Sequence, residues 1–139
     1  MDLPYHVSSK EVSRLRLWRV EDSNFRIVEY DYTVPILTNV DYTLIENQLS
    51  KPFEYLLKDQ IEIIPALIER KATNEKWDNY VELKIKNHIS PENVNYIDTY
   101  GINVWQYSHE LFVSPKLKKE LELIANGRLT FSEGFSLFA

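Results

Sequence analysis

Alternation of apolar and polar residues predicts strands in the first part of the chain. In SRLRLWRV, Leu15 and Leu17 alternate with arginines, the two-residue period of a half-buried strand. NFRIVEY, residues 24–30, shows the same period, and the turn-forming residues EDSN at 21–24 separate the two stretches. We therefore predict a β-hairpin over about residues 13–30.

The middle of the chain has helical spacing. In SKPFEYLLKDQ, Ser50 can cap a helix and Pro52 falls near its first turn, where proline is tolerated. Phe53, Leu56 and Leu57 follow at i, i+3 and i+4, which places them on one helical face. The pattern predicts a helix that begins after residue 50.

The segments on either side of that helix are less regular. Asp41 can cap a shorter helical turn whose inward residues would be Leu44, Ile45 and Leu49. IEIIPALIER is ambiguous, because Pro65 is excluded from a central strand and would kink a helix. The pattern leaves both assignments open for this second segment.

Strand patterns return in the second half. Val81, Leu83 and Ile85 alternate with charged residues in EKWDNYVELKIKN, the clearest strand pattern of the chain. NYIDTYGINVWQY, residues 95–107, predicts one further strand or two, bent near Gly101.

A strand–helix–strand unit is predicted near the C-terminus. Residues 111–113 form a short apolar run, Ser114 is a helix cap, and Pro115 occupies the first helical position. Asn126-Gly127 supplies a left-handed stop, and RLTF follows as a strand. The apolar stripe of the helix consists of Leu117, Leu121, Ile124 and Ala125.

Together these elements predict an α+β fold with a mostly antiparallel sheet and a few packed helices. The 139 residues contain no repeat, low-complexity tract or linker, which predicts one domain over residues 1–139. This pattern is typical of sheet-and-helix layers around one core.

Composition narrows the functional classes. The net charge is −5, which argues against nucleic acid as the main ligand, since phosphates are bound by lysine and arginine. Absence of cysteine excludes disulfides, cysteine nucleophiles and thiolate metal sites. No apolar stretch has the length of a signal-peptide core or a membrane span, so we expect a soluble cytoplasmic protein without membrane contact.

Catalytic and cofactor motifs are absent from the sequence. His6, His88 and His109 lack metal-ligand spacing, and three glycines leave no phosphate-binding loop or nucleophile elbow. We expect no enzyme activity, no cofactor and no metal. A small hydrolase that uses Glu29, Asp31 or the histidines remains a weaker alternative.

Tyrosines interleaved with acids are the least ordinary feature. They occur in EYDY and NYIDTY, and tyrosine is enriched at protein interfaces, although such rings also line cores. We predict a protein-binding site formed by Tyr30, Asp31, Tyr32, Tyr96, Asp98 and Tyr100.

The segment from residue 94 to 131 resembles the C-terminal signature of bacterial immunity proteins that protect cells from polymorphic toxins, including those delivered by secretion systems such as type VI. The resemblance is carried by Asp98, Leu111 to Ser114, Leu117, Lys118, Leu121 and Phe131. It implies a non-enzymatic cytoplasmic inhibitor that occludes its cognate toxin or locks it in an inactive state. The alternative is a non-enzymatic adaptor or assembly subunit of a larger complex, which would allow a homodimer.

Overall fold

The computed structural model describes residues 2–56 and 58–136, which form ten strands, two α-helices and one 3₁₀ helix. The strands are β1 Tyr5–Ser9, β2 Arg16–Glu21, β3 Asn24–Glu29, β4 Ile36–Thr38, β5 Thr43–Glu46, β6 Ile61–Arg70, β7 Glu75–Ile85, β8 Val104–Tyr107, β9 Glu110–Val113 and β10 Leu129–Glu133. The helices are α1 Asn47–Ser50, the 3₁₀ helix Lys51–Tyr55 and α2 Pro115–Ala125.

The strands form two sheets. The smaller has the order β10-β1-β9-β8, and the larger has the order β2-β3-β6-β7-β5-β4. Every neighbouring pair is antiparallel except β3 and β6, which run parallel. The predicted α+β class with a mostly antiparallel sheet is confirmed.

The predicted hairpin over residues 13–30 is confirmed as β2 and β3. Leu17 and Phe25 point into the core, and Asp22 adopts a positive φ of 46° in the turn between the strands. Asp tolerates this left-handed region better than most residues, which is why the turn can be so short.

The predicted helix after residue 50 is wrong in type. Ser50 ends α1 and occupies the N-cap position of the next helix, but its hydroxyl donates to the Asn47 carbonyl oxygen at 2.7 Å and makes no capping bond. The following residues form the 3₁₀ helix with Pro52 in its first turn, and Leu56 is already extended. Phe53 is buried as predicted, whereas Leu57 lies outside the described residues.

Leu49 is buried in the short helix α1 as predicted, but the helical turn predicted after Asp41 is wrong for Leu44 and Ile45, which lie in β5. Both side chains are fully buried, one on each face of a strand that lies between β4 and β7. A strand covered on both faces has consecutive apolar residues, which periodicity does not separate from a buried helix.

The ambiguous segment is the strand β6, with Pro65 inside it. The ladder between β3 and β6 covers only Leu67–Glu69, so Pro65 lies where one edge of β6 has no neighbouring strand. This is the position in a sheet at which a missing N–H group is tolerated.

The strand predicted around Val81 is confirmed as β7, but only part of 95–107 is a strand. Residues 91–96 form turns, Gly101 has a φ of 80°, and β8 begins at Val104. The Asn93 side chain accepts from the Ser90 N–H at 2.8 Å, and this local bond favours a turn over a strand.

The C-terminal unit is confirmed as β9, α2 and β10. Ser114 occupies the N-cap position and Asn126 ends the helix in the left-handed region, with a φ of 51°. The Ser114 hydroxyl, however, accepts from the Asn103 N–H at 3.0 Å and makes no capping bond. Of the predicted stripe, Ile124 is partly exposed while Leu117, Leu121 and Ala125 are buried.

The main core lies between the two sheets and α2, where Val7, Ile45, Leu83, Leu111 and Leu117 belong to one cluster. A second cluster, around Phe25 and Tyr80, covers the opposite face of the larger sheet. No helix of the described residues is long and apolar enough to cross a membrane.

Candidate functional site

The tyrosine loop, defined here as residues 95–101, holds three of the predicted interface residues. Tyr96 is 82% exposed and Tyr100 is 89% exposed, and Asp98 is also exposed. Two tyrosines that project this far from the surface bury no ring in the core. This half of the predicted site therefore has aromatic area available to a partner.

Local contacts anchor the loop beneath its exposed rings. Val94 is buried with Trp105 and Phe112, and the Thr99 hydroxyl donates to the Asp2 carbonyl oxygen at 2.7 Å. The Asp98 carboxylate accepts from the Tyr100 N–H at 2.9 Å, and the Asn103 side chain donates to the Tyr100 carbonyl oxygen at 2.6 Å. Because the backbone is held, little conformational entropy is left to lose on binding.

The loop borders the beginning of α2. A surface hollow between them is lined by Asp2, Asp98, Thr99, Tyr100, Gly101, Pro115, Lys116 and Lys119. Carboxylates and ammonium groups therefore share this surface, which differs from the purely acidic surface suggested by the Tyr-and-acid pattern. The surface offers aromatic anchors within a polar rim of both charges.

The other predicted segment has contacts inside the chain. Asp31 accepts backbone N–H groups from Arg14 at 2.8 Å and Tyr32 at 2.9 Å, and these bonds lower its pKa. The Tyr32 hydroxyl donates to the Val12 carbonyl oxygen. The Tyr30 ring lies under the Arg70 guanidinium, 3.5 Å from its carbon to the ring centroid. These side chains, although partly exposed, hold neighbouring segments together.

The two segments do not form one site. Within residues 2–56 and 58–136, no hydrogen bond, ion pair or ring contact joins Tyr30, Asp31 or Tyr32 to the tyrosine loop. We therefore take the tyrosine loop as the candidate binding site, and a part of Tyr30, Asp31 and Tyr32 in binding stays a prediction.

The structure brings together two histidines that the sequence left apart. His6 Nε2 lies 2.7 Å from one Glu110 oxygen, and His109 Nε2 lies 3.6 Å from the other. The bond to His6 lowers the pKa of Glu110 against the opposing effect of burial. His88 lies apart, in a bridge to Gln106, and the described residues contain no group of ligands suited to a metal ion.

An ion-pair network around Arg19 was not predicted. Glu82 is 3% exposed and accepts from Arg19 at 2.6 and 2.9 Å and from the Ser23 hydroxyl at 2.7 Å. Arg19 also donates to the Asp41 carboxylate and to the carbonyl oxygens of Asp41 and Asp22. All five N–H donors of the guanidinium are engaged, so this network is structural and leaves no donor for a ligand.

Sequence reasoning also missed an exposed tryptophan on β2. Arg16, Trp18 and Val20 alternate with the inward residues of that strand, and Trp18 is 70% exposed. The sequence LRLWRV already indicated this, because Trp18 takes one of the alternating positions that are otherwise polar and face solvent. Exposed large apolar groups of this kind mark interaction surfaces when they are contiguous.

Comparisons of the chain with protein-family models, with curated proteins and with solved structures find no significant match.

Proposed function

We propose that this chain is an immunity protein, which binds a cognate bacterial toxin or secreted effector in the cytoplasm and neutralises it by contact. The proposal rests on the resemblance carried by residues 94–131. In the folded chain, this segment contains the exposed tyrosine loop together with β8, β9, α2 and the start of β10. The segment thus joins a stable framework to a surface that a partner can reach.

The observation that carries the proposal is the exposure of Tyr96 and Tyr100 on an anchored loop. Tyrosine is over-represented among the residues that dominate binding energies, because it offers a large rigid surface with few rotatable bonds. Here two such rings project beside Asp98 and two lysines of α2. We infer that the rings enter apolar recesses of the toxin while the charges form the rim.

Co-expression tests the proposal directly. The toxin encoded by the neighbouring reading frame is induced in a bacterial host with and without this protein, and growth and co-purification are measured. We expect rescue of growth and a stable complex. If growth is not rescued and no complex forms, the chain is not the immunity protein of that toxin.

Alanine substitution tests the candidate site. Tyr96→Ala and Tyr100→Ala should each weaken toxin binding by about 2 kcal/mol, roughly a 30-fold rise in Kd. Calorimetry or surface plasmon resonance gives the affinities. Tyr55→Ala is the matched control, since Tyr55 is 75% exposed but lies outside the loop. Equal affinities for all three variants would show that the toxin binds elsewhere.

An adaptor or assembly subunit is the second candidate, favoured by the exposed aromatic surface around Trp18. An adaptor needs two separate interfaces, and the tyrosine loop precedes β8 of the smaller sheet whereas β2 is an edge strand of the larger sheet. Light scattering on the purified chain distinguishes a stable homo-oligomer, which favours this candidate, from a monomer.

A further inference from the structure

The hairpin face, defined as the exposed side chains of Arg16, Trp18, Val20, Arg26 and Val28, carries a second binding function. We propose that this face binds an acidic protein segment, whose carboxylates meet the arginines while an apolar side chain packs on Trp18. The proposal is independent of the tyrosine loop and of the identity of any toxin.

Strand pairing places these side chains together. Trp18 and Arg26 are direct cross-strand partners, so they leave the sheet on the same side. Arg16 lies two residues before Trp18 on β2 and pairs with Glu29, while Val20 and Val28 lie at the two register shifts that flank this central pair. All are exposed, whereas the intervening Leu17 and Phe25 are buried. The face is therefore contiguous and is not needed for the core.

Charge indicates the chemistry of the partner. Two of the six arginines, Arg16 and Arg26, lie on this face, whereas the donors of Arg19 on the same hairpin are engaged inside the chain. Arg16 has one distant ion pair, at 3.9 Å to Glu29, and Arg26 has none among the described residues. Glu69 is the cross-strand partner of Arg26 on β6, but its carboxylate pairs with Lys71 at 3.5 Å, so among the described residues the Arg26 guanidinium is left to meet a carboxylate of a partner. Arginine suits carboxylates because its planar fork can donate two parallel hydrogen bonds to one carboxylate.

The partner docks on the face and does not extend the sheet at the edge of β2. On this strand, the Leu17 N–H donates to the Tyr42 hydroxyl at 3.1 Å. The neighbouring Arg19 side chain holds the turn around Asp41. The register also shifts twice along β2, after Arg16 and after Arg19. Occupied edge groups and bulges both discourage strand addition. The side chains, and not the backbone, are what a partner meets.

Amide chemical shifts of the isotope-labelled full chain test the proposal. The protein is titrated with a short synthetic peptide that alternates glutamate with leucine, and with a control peptide in which glutamine replaces glutamate. We expect saturable shifts on β2 and β3 with the glutamate peptide and at least tenfold weaker binding of the glutamine peptide. Added salt should weaken the glutamate complex, because exposed charges are screened.

Arg26→Glu is the informative variant, and it should weaken the glutamate peptide about tenfold or more. Lys51→Glu makes the same change of charge at an exposed residue outside the face and should leave the affinity unchanged. A thermal melt of both variants shows whether they fold; if Arg26→Glu does not, Trp18→Ala gives the same comparison.

Four results would overturn the proposal. They are absence of shifts on the hairpin at millimolar peptide, equal binding of the two peptides, equal affinities of Arg26→Glu and Lys51→Glu, and tighter binding of a DNA duplex than of the glutamate peptide. A concentration-dependent dimer that Trp18→Ala abolishes would also overturn it, because the face would then be occupied by a second copy. None of these results bears on the tyrosine loop, so the proposed immunity function is tested separately.

Discussion

At the scale of single residues, the Arg19–Glu82 pair shows what a sequence pattern leaves out. Alternation along β7 correctly places Glu82 opposite Leu83. It does not show that the polar side of this strand is covered, because the covering residues come from β2, β3 and the turn before β5. The alternation places the Glu82 carboxylate on the solvated side, but in the structure it is buried with the Arg19 guanidinium as its partner. Removing one member of such a pair destabilises the fold, because the other charge is then buried without its partner.

Glu82→Gln should destabilise the fold by about 2 kcal/mol at neutral pH, because Arg19 loses a charged acceptor in a buried place. Burial raises the pKa of Glu82, but hydrogen bonds from Arg19 and Ser23 outweigh it and bring the pKa below its ordinary value of 4.5. A lowered pKa means that the stabilisation is present above this value and is lost as the pH falls through the folded-state pKa.

Urea denaturation across this pH range gives the measurement. The stability difference between the wild type and Glu82→Gln should shrink on acidification, while Glu62→Gln, at an exposed residue of β6, should match the wild type throughout. A difference that persists undiminished in acid would show that the charge of Glu82 is not the cause.

At the scale of elements, local signals decided which predictions succeeded. The hairpin and β7 show alternation of apolar and polar residues, and the β9–α2–β10 unit has residues typical of helix ends at both ends of α2. Residues 43–46 were predicted wrongly because Leu44 and Ile45 fit a buried helix as well as a strand covered on both faces. For the candidate binding site, too, the sequence indicates local features but not contacts between distant segments. Exposure of Tyr96 follows from its turn, whereas the contacts of Tyr30 come from distant strands.

Ser114→Ala tests whether this serine serves the helix or the loop before β8. Its hydroxyl bonds to the Asn103 N–H and not to α2, so we expect a loss of about 2 kcal/mol with the helix content unchanged. Hydrogen exchange at the Asn103 amide should accelerate, and circular dichroism should show no fraying of α2.

Ser132→Ala, in β10, is the matched control and should leave the stability and the Asn103 amide unaltered. A shortened α2 with normal exchange at Asn103 would instead establish an ordinary capping role.

At the scale of the whole molecule, the two sheets share one core and are also joined at the backbone. The Ser9 hydroxyl donates to the Ile36 carbonyl oxygen and accepts from the Ile36 N–H, both at 2.9 Å. A parallel bridge links His88 to Gln106 of β8. Residues of both sheets belong to the cluster around Val7 and Leu83. We expect the sheets to unfold together.

Val7→Ala should lower the free energy of unfolding by about 2 kcal/mol, since Val7 is buried at the centre of β1. Tryptophan fluorescence reports mainly on the smaller sheet through Trp105 of β8, which is buried whereas Trp18 is 70% exposed, and far-ultraviolet circular dichroism reports on all elements. Both transitions should shift equally. Val12→Ala, at an 84% exposed residue, should shift neither. Separate transitions would show that the sheets fold as two units.

The central place of β1 in the smaller sheet, between β10 and β9, determines when this sheet can form during synthesis. Both neighbours of β1 are translated long after it, so a ribosome-bound chain holds β1 without a partner strand until β9 and β10 have emerged. Each new copy becomes competent only after that point. A cell that relied on this protein for protection would therefore need a standing reserve of finished molecules before any attack.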